Sequence, residues 1–169
     1  IQGKDTIHTL DLLLKHGVEV TAIFSPEHGF RGTAREGEHV SSSIDEKTGI
    51  PILSLYDGKS YRPSKEAMAT FDILITDIQD VGLRFYTYYI TMYRLMDVCA
   101  KYDKQFVVFD RPNPDGWYVD GPILDMKHKS GVGALPIPVV HGMTLGELAL
   151  MINGEGWLRD GLKCKITVI

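Results

Sequence analysis

Hydrophobic residues recur every three to four positions in four segments of the chain, and this spacing predicts amphipathic helices. The first helix is expected to begin at Asp5, a candidate N-cap, and to end at Gly17. A short helix is expected after Ser64, and a long one over residues 82–102. The last helix is expected to start near Thr144, where the sequence TLGE matches a capping box.

Apolar runs rich in Val, Ile, Thr and Phe alternate with these helices and predict buried strands. The runs occupy residues 18–25, 51–56, 72–78, 105–109 and 137–140. A last strand is expected at residues 163–169, where apolar and polar residues alternate. Most of the runs are continuously apolar, which is typical of parallel sheets covered by helices on both faces. We therefore expect an α/β fold with a Rossmann-like open, mainly parallel sheet and helices on both faces.

The chain has 169 residues, about the length of one domain. A fold of this class normally begins with a strand, whereas the first element expected here is a helix and the last is a strand. We therefore expect residues 1–169 to form a single Rossmann-like domain from a polypeptide that continues on both sides. The Pro- and Gly-rich residues 111–138 are expected to form a loop that Trp117 and Tyr118 anchor.

Composition excludes several classes of partner. The formal net charge is −4 and no basic run is present, so nucleic acid is not expected to bind. The longest segment without Asp, Glu, Lys or Arg, residues 130–146, contains Pro136 and Pro138, so no membrane-spanning segment is expected. Cys99 and Cys164 are too few for a disulfide framework.

Polar and ionisable side chains follow the expected strands. In open parallel sheets, ligands bind in the crevice beyond the carboxyl ends of the strands. We expect a functional site there, formed by Glu27, His28, Arg31, Asp77, Asp80, Arg84, Tyr86, Arg111, Asn113 and His141.

The acidic candidates have different alternatives. Glu27 follows Pro26 at a strand end, where burial and neighbouring carboxylates favour a protonated acid that can donate to a substrate. Its alternative is a solvated loop residue. Asp77 and Asp80 precede the long helix, so each is a candidate either for the site or for a helix cap.

The basic and aromatic candidates also have alternatives. Arg84 and Arg111 suit an anionic ligand, or else salt bridges to the nearby aspartates. Tyr86 is a candidate to stack on a sugar face. His28 and His141 are possible metal ligands, but neither an HxH nor an HExxH spacing occurs, and we expect no metal.

Several motifs of cofactor and nucleophile chemistry are missing from the sequence. No GxGxxG follows a strand, residues 29–32 lack the Lys-Ser/Thr pair of a P-loop, and no GxSxG occurs. We therefore expect no cofactor, and neither nucleotide chemistry nor a serine hydrolase is indicated.

Four motifs together resemble the DUF1343 family, whose members are exo-β-N-acetylmuramidases of the NamZ type. They are SPEHGFRG at residues 25–32, DIQDVGLRFYTY at 77–88, DRPNP at 110–114 and HGMTLGE at 141–147. The resemblance implies a Rossmann-like N-terminal domain, with a smaller C-terminal domain and an opening strand outside this chain. It also implies an extracytoplasmic enzyme, secreted or periplasmic, that acts on peptidoglycan-derived muramyl saccharides.

The resemblance implies that Glu27 is the catalytic acid. The second group in glycoside cleavage stays open: Asp77 or Asp80 as base or nucleophile, or the acetamido oxygen of the substrate. Arg84 or Arg111 would bind the lactyl carboxylate of muramic acid. The alternatives are a metal-dependent hydrolase, a receiver-like phosphoacceptor domain and a non-catalytic carbohydrate-binding domain.

Overall fold

The computed structural model describes residues 7–25, 43–55 and 61–169. Their helices and strands are, in order, α1 (Thr9–Lys15), β1 (Ile23–Ser25), β2 (Ser43–Ile44), β3 (Pro51–Ser54), α2 (Lys65–Met68), β4 (Ile73–Thr76), α3 (Tyr88–Lys101), β5 (Gln105–Val108), α4 (Leu145–Gly154) and β6 (Lys165–Val168). The chain divides into two compact units, residues 1–61 and residues 62–169. Within the described ranges, no helix is both long and apolar enough to cross a membrane.

The first unit contains a three-stranded sheet in which β3 is central. β1 pairs with β3 in parallel, with Ile23 opposite the buried Ile52, as expected for a mainly parallel sheet. β2 pairs antiparallel with β3 through Ser43 and Ile44. The sequence did not predict this short strand, because its segment is polar and lacks an apolar run.

The helix α1 begins later than expected. Its N-cap is His8, whose Nδ1 accepts a hydrogen bond from the Leu10 N–H at 3.2 Å. The prediction that Asp5 caps this helix was therefore wrong, and Asp5 itself lies outside the described residues. Gly17 follows the helix end with φ +76°, a conformation that glycine adopts without strain.

The second unit contains a three-stranded, fully parallel sheet in which β5 is central. α3 packs against α4 and β5, and α4 packs against β6. Its core includes the fully buried side chains of Tyr89, Met92, Met96, Phe106 and Leu148. The predicted Rossmann-like open α/β class, with mainly parallel strands and no closed barrel, is confirmed in the described residues.

Residues 137–140 are not the strand that the sequence predicts. Only Val140 makes isolated antiparallel bridges, to Leu83 on one side and to Asp120 on the other. Pro136 and Pro138 lack the N–H that a ladder needs, so this segment cannot join a parallel sheet as a central strand.

The helix α3 begins at Tyr88, six positions after the expected start at residue 82. The preceding backbone pairs elsewhere instead: the Arg84 N–H donates to Val139 O at 2.8 Å, and Gly82 O accepts from the His141 N–H at 3.1 Å. This pairing satisfies backbone groups that would otherwise form the first helical turn. The N-cap is Thr87, so neither Asp77 nor Asp80 caps α3, and that alternative was wrong.

The predicted capping box of α4 is confirmed. Thr144 Oγ1 accepts from the Glu147 N–H at 3.2 Å, and Glu147 Oε2 accepts from the Thr144 N–H at 2.9 Å. Asp110, just beyond β5, accepts from the Thr144 hydroxyl at 2.6 Å and from the Gly146 N–H at 2.8 Å. A carboxylate at this position also favours the positive end of the helix. The loop after β5 is thereby fixed to the first turn of α4.

A buried ion cluster on α3 has no counterpart in the sequence analysis. Asp97 is 1% exposed and accepts hydrogen bonds from Arg159, at 3.0 Å from the backbone N–H and 2.5 Å from Nε. Arg62 Nη2 lies 3.5 Å from the same carboxylate. Burial, followed by the charge of Arg159, lowers the pKa of Arg62. Both Asp97 oxygens are satisfied, which is the arrangement expected for a structural buried charge.

Both cysteines are free and buried. Burial raises the pKa of the Cys99 thiol to about 12 and that of Cys164 to about 11. Each thiol is therefore protonated near neutral pH. Since the thiolate is the reactive form, neither cysteine is suited to nucleophilic chemistry.

Two glycines at opposite ends of α4 test the close packing of this helix. A Cβ at Gly146 would lie 2.5 Å from Val168 Cγ1 and 2.7 Å from Asp110 Cγ, so Gly146→Ala should destabilise the domain by about 1 to 3 kcal/mol. A Cβ at Gly154 would meet nothing within 4 Å. Because alanine favours helix, Gly154→Ala should be neutral or stabilise by about 0.5 to 1 kcal/mol. Denaturant unfolding measures both, and equal effects at the two positions would contradict the packing argument.

Candidate active site

The carboxyl ends of β4 and β5 place one acidic and one basic side chain together. Thr76 and Val108 are paired in the register, so the residues that follow them emerge at the same edge of the sheet. There Arg111 Nε donates to Asp77 Oδ1 at 2.7 Å, and Arg111 Nη2 contacts the same oxygen. The side chains of Arg111 and Asp77 are 43% and 16% exposed, so both can be reached from solvent.

A second acidic group, Asp80, lies nearby in sequence but is buried. Its Oδ2 accepts from the Gly82 N–H at 2.9 Å and faces His141 Nε2 at 3.6 Å. That separation is longer than a direct hydrogen bond. Asp80 is 5% exposed and the His141 side chain is fully buried. The structure therefore brings these two predicted site residues together, beneath the surface.

The hydrogen bonds of His141 fix which ring nitrogen carries the proton. Nδ1 accepts from the Met143 N–H at 3.3 Å, so this nitrogen is the acceptor in the neutral ring. The proton then resides on Nε2, which points toward the Asp80 carboxylate. The pair is oriented as a donor facing an acceptor, at a separation that leaves both groups incompletely satisfied.

Three buried polar atoms at this edge have no hydrogen-bond partner among the described residues. They are Thr76 Oγ1, Asp80 Oδ1 and His141 Nε2. Buried polar groups are normally paired, and exceptions occur preferentially at functional sites. Thr76 was missed by the sequence analysis. The available signal was a hydroxyl at the end of the otherwise apolar run ILIT of β4.

Two other predicted site residues are held by backbone groups of the fold. Arg84 Nη1 donates to Pro122 O and to Ile137 O, each at 2.7 Å. Asn113 Nδ2 donates to Met143 O at 2.9 Å, while its Oδ1 accepts from the Asp115 N–H at 2.9 Å. These contacts give both side chains a role in holding the loops around the site. Among the described contacts, neither Arg84 nor Arg111 pairs with Asp80. Of these two arginines, Arg111 forms the predicted salt bridge to Asp77.

Tyr86 is partly exposed on the segment before α3. Tyr86 is 39% exposed, and its ring packs edge-on against the ring of Tyr88, with the centroids 5.1 Å apart. An exposed ring face supported by a second ring suits stacking on an apolar ligand surface.

The remaining predicted site residues, Glu27, His28 and Arg31, lie outside the described residues. Among those described, no group of three or more His, Cys, Asp or Glu residues is arranged to hold a metal ion. A surface cavity of about 160 Å³ is lined by Tyr93, Met126, Lys129, Ala134, Leu135, Pro136 and Trp157. It contains none of the predicted site residues.

The fold and this edge together define a Rossmann-like α/β domain with a candidate site at the carboxyl ends of its parallel strands. Residues 2–169 match the family described as "Exo-beta-N-acetylmuramidase NamZ, N-terminal". The chain belongs to this family, so the resemblance expected from its motifs is confirmed.

Relatives with known names or structures agree with this assignment. The chain is 50% identical over 149 residues to the peptidoglycan β-N-acetylmuramidase NamZ of Bacillus subtilis (strain 168), covering 87% of this chain and 36% of that protein. A crystal structure of a DUF1343 family protein from Bacteroides fragilis is 62% identical, with a TM-score of 0.86 over 100% of this chain and 43% of that one. A second from the same organism is 40% identical, with a TM-score of 0.86 over 96% and 40%. The chain thus spans about two fifths of the length of these relatives.

Two buried aspartates should respond differently to the same substitution. Asp97→Asn removes a charge whose two oxygens are fully paired and should lower the free energy of unfolding by about 2 to 3 kcal/mol. Asp80→Asn removes a charge with one unpaired oxygen and should change stability by less than about 1 kcal/mol, or increase it. Denaturant unfolding of both variants measures the difference. Equal losses would show that Asp80 is an ordinary structural residue.

Proposed function

We propose that the full-length protein is a glycoside hydrolase that releases terminal N-acetylmuramic acid from peptidoglycan fragments. The observation that carries this proposal is the match of residues 2–169 to a family described as an exo-β-N-acetylmuramidase. The name of the Bacillus subtilis relative supports the same substrate. Because peptidoglycan lies outside the cytoplasm, we propose that the enzyme is secreted or periplasmic.

Glycoside cleavage needs one group to protonate the leaving oxygen and another to meet the positive charge that develops at the sugar. We assign the first role to Glu27, on the basis of its position in the PEHG motif. For the second role the described edge offers Asp77, because its carboxylate is accessible to solvent. The paired Arg111 holds the Asp77 carboxylate in place through the hydrogen bond from its Nε.

The buried pair of Asp80 and His141 serves in this proposal as positioning residues. The side chain of Gln79 donates to Asp80 O at 2.7 Å and to Pro112 O at 3.0 Å, so the loops after β4 and β5 are tied together. Asp80 accepts from the Gly82 N–H in the same loop and faces His141 on the opposite segment. These contacts fix the backbone on which Asp77 and Arg111 are presented.

Substitution of Glu27 tests the hydrolase directly. Glu27→Gln in the full-length protein should lower kcat for release of N-acetylmuramic acid by about 100-fold to 10,000-fold, because the general acid is lost. Calorimetry should show that saccharide binding remains. Glu147→Gln is the matched control, since glutamine also completes a capping box, and it should retain full activity.

Three results would contradict the proposal. Full activity of Glu27→Gln would exclude it as the acid. A wild-type protein that binds muramyl saccharides without hydrolysing them would instead be a carbohydrate-binding module, and loss of activity with chelator would indicate a metal-dependent hydrolase.

We propose Arg111 as the arginine that recognises the lactyl carboxylate. Its side chain is 43% exposed beside Asp77, whereas Nη1 of Arg84 is held by two backbone carbonyls. Arg111→Ala should lower kcat with either substrate, because Asp77 loses its ion-pair partner. It should raise KM about 10- to 100-fold only for the muramic substrate and not for the glucosaminyl analogue without the lactyl group. Arg84→Ala should lower the melting temperature instead. An unchanged preference in both variants would disprove carboxylate recognition by either arginine.

A further inference from the structure

The most exposed large apolar side chain among the described residues is Trp117, at 81%. It does not anchor the loop of residues 111–138, so that prediction was wrong for this residue. Tyr118, in contrast, is half-buried, and its ring lies against the indole with centroids 4.3 Å apart and planes tilted by 43°. We call this pair, Trp117 and Tyr118, the aromatic platform.

The backbone of the aromatic platform is held on both sides. Before it, Asn113 Oδ1 accepts from the Asp115 N–H at 2.9 Å, and Asn113 O accepts from the Gly116 N–H at 3.1 Å. After it, the N–H and carbonyl of Asp120 both bond to Val140, at 3.1 and 2.9 Å. The exposure of Trp117 is therefore a feature of a turn whose backbone is held at both ends.

The same contacts place the platform beside the candidate site. Asn113, at the start of the turn, donates to Met143 O at 2.9 Å. A Cβ on Gly142 would lie 2.9 Å from Tyr118 O and 2.9 Å from Val119 Cγ2, so this glycine permits a close approach of the two segments. His141 is the immediate neighbour of Gly142. The platform thus borders the segment that presents His141 to Asp80.

An exposed indole on a fixed turn contributes little to the core and keeps apolar surface in water. Its flat face matches the apolar C–H face of a pyranose ring, and the adjoining Tyr118 ring supports it from one side. We propose that the aromatic platform binds a sugar ring of the glycan on the leaving-group side of the scissile bond. This inference rests on the proposed function.

Exposure decides which sugar the platform binds. An exo-acting enzyme must enclose the terminal sugar, so residues around that ring are largely removed from solvent. Trp117 is 81% exposed, whereas the Asp77 side chain is 16% exposed and Asp80 only 5%. The platform is therefore suited to the rim of the site, where the remaining glycan leaves it.

Two substrates distinguish an effect on sugar binding at the platform from an effect on the catalytic groups. Methyl β-N-acetylmuramide carries no sugar beyond the scissile bond, whereas a peptidoglycan tetrasaccharide with terminal muramic acid carries three. In the full-length enzyme, Trp117→Ala should raise KM for the tetrasaccharide about five- to tenfold and leave kcat/KM for the methyl glycoside within about twofold. Trp117→Phe should restore most of the affinity. Leu150→Ala, which truncates an apolar side chain 54% exposed on α4, is the matched control and should change neither.

Each other outcome contradicts the proposal in a different way. Equal losses on both substrates would place Trp117 at the terminal sugar, and no loss on either would show that no sugar stacks there. A lower melting temperature with unchanged KM would show that Trp117 contacts another part of the full-length protein.

Failure of the proposed function gives a separate result, because wild-type protein would then hydrolyse neither substrate. In that case, calorimetry with the tetrasaccharide tests whether the aromatic platform binds a sugar. Weaker binding by Trp117→Ala than by wild type would support it, and equal or undetectable binding would overturn it.

Discussion

The candidate site depends on the backbone pairing of Val140. Val140 bridges Leu83 on one side and Asp120 on the other, so three segments distant in sequence are joined by main-chain hydrogen bonds. Such bonds satisfy buried donors and acceptors whatever the side chains are, and they fix the spacing between the segments. Because His141 follows Val140 directly, its ring is held opposite Asp80 by this pairing.

The same pairing connects the interior of the site with its rim. On one side it sets the start of α3 at Tyr88 and leaves Phe85 and Tyr86 exposed. On the other side it holds the turn that carries Trp117. At the sheet edge, Asp110 secures the loop after β5 to the N-terminus of α4, and Arg111 next to it pairs with Asp77. A rigid frame of strands and backbone bridges thus presents a small number of polar and aromatic side chains.

Local patterns predicted the elements that local physics determines. The capping box of Thr144 and Glu147 is set by residues three positions apart, and β4 and β5 are apolar runs that need no distant partner to be recognised. The mainly parallel α/β class followed from those runs. Their common carboxyl edge was sufficient to bring Asp77 to Arg111, and the HGMTLGE motif placed His141 just before α4.

Contacts between distant residues could not be predicted in the same way. Asp97 and Arg159 are 62 positions apart, and nothing in either neighbourhood marks a buried ion pair. The bridges of Val140 to Leu83 and Asp120 form in place of the predicted strand at residues 137–140 and of the predicted first turn of α3. These bridges depend on residues from three segments of the chain. Likewise, Arg84 was equally plausible as a ligand for an anion until the carbonyls of Pro122 and Ile137 were placed beside it.

We propose that the muramic sugar binds at the edge formed by Asp77, Arg111 and the segment around His141. A crystal structure of the full-length protein with N-acetylmuramic acid tests it most directly. The account predicts the lactyl carboxylate at the Arg111 guanidinium, with Asp77 beside the anomeric carbon of the sugar. A sugar bound elsewhere, with the ion pair between Arg111 and Asp77 untouched, would contradict it.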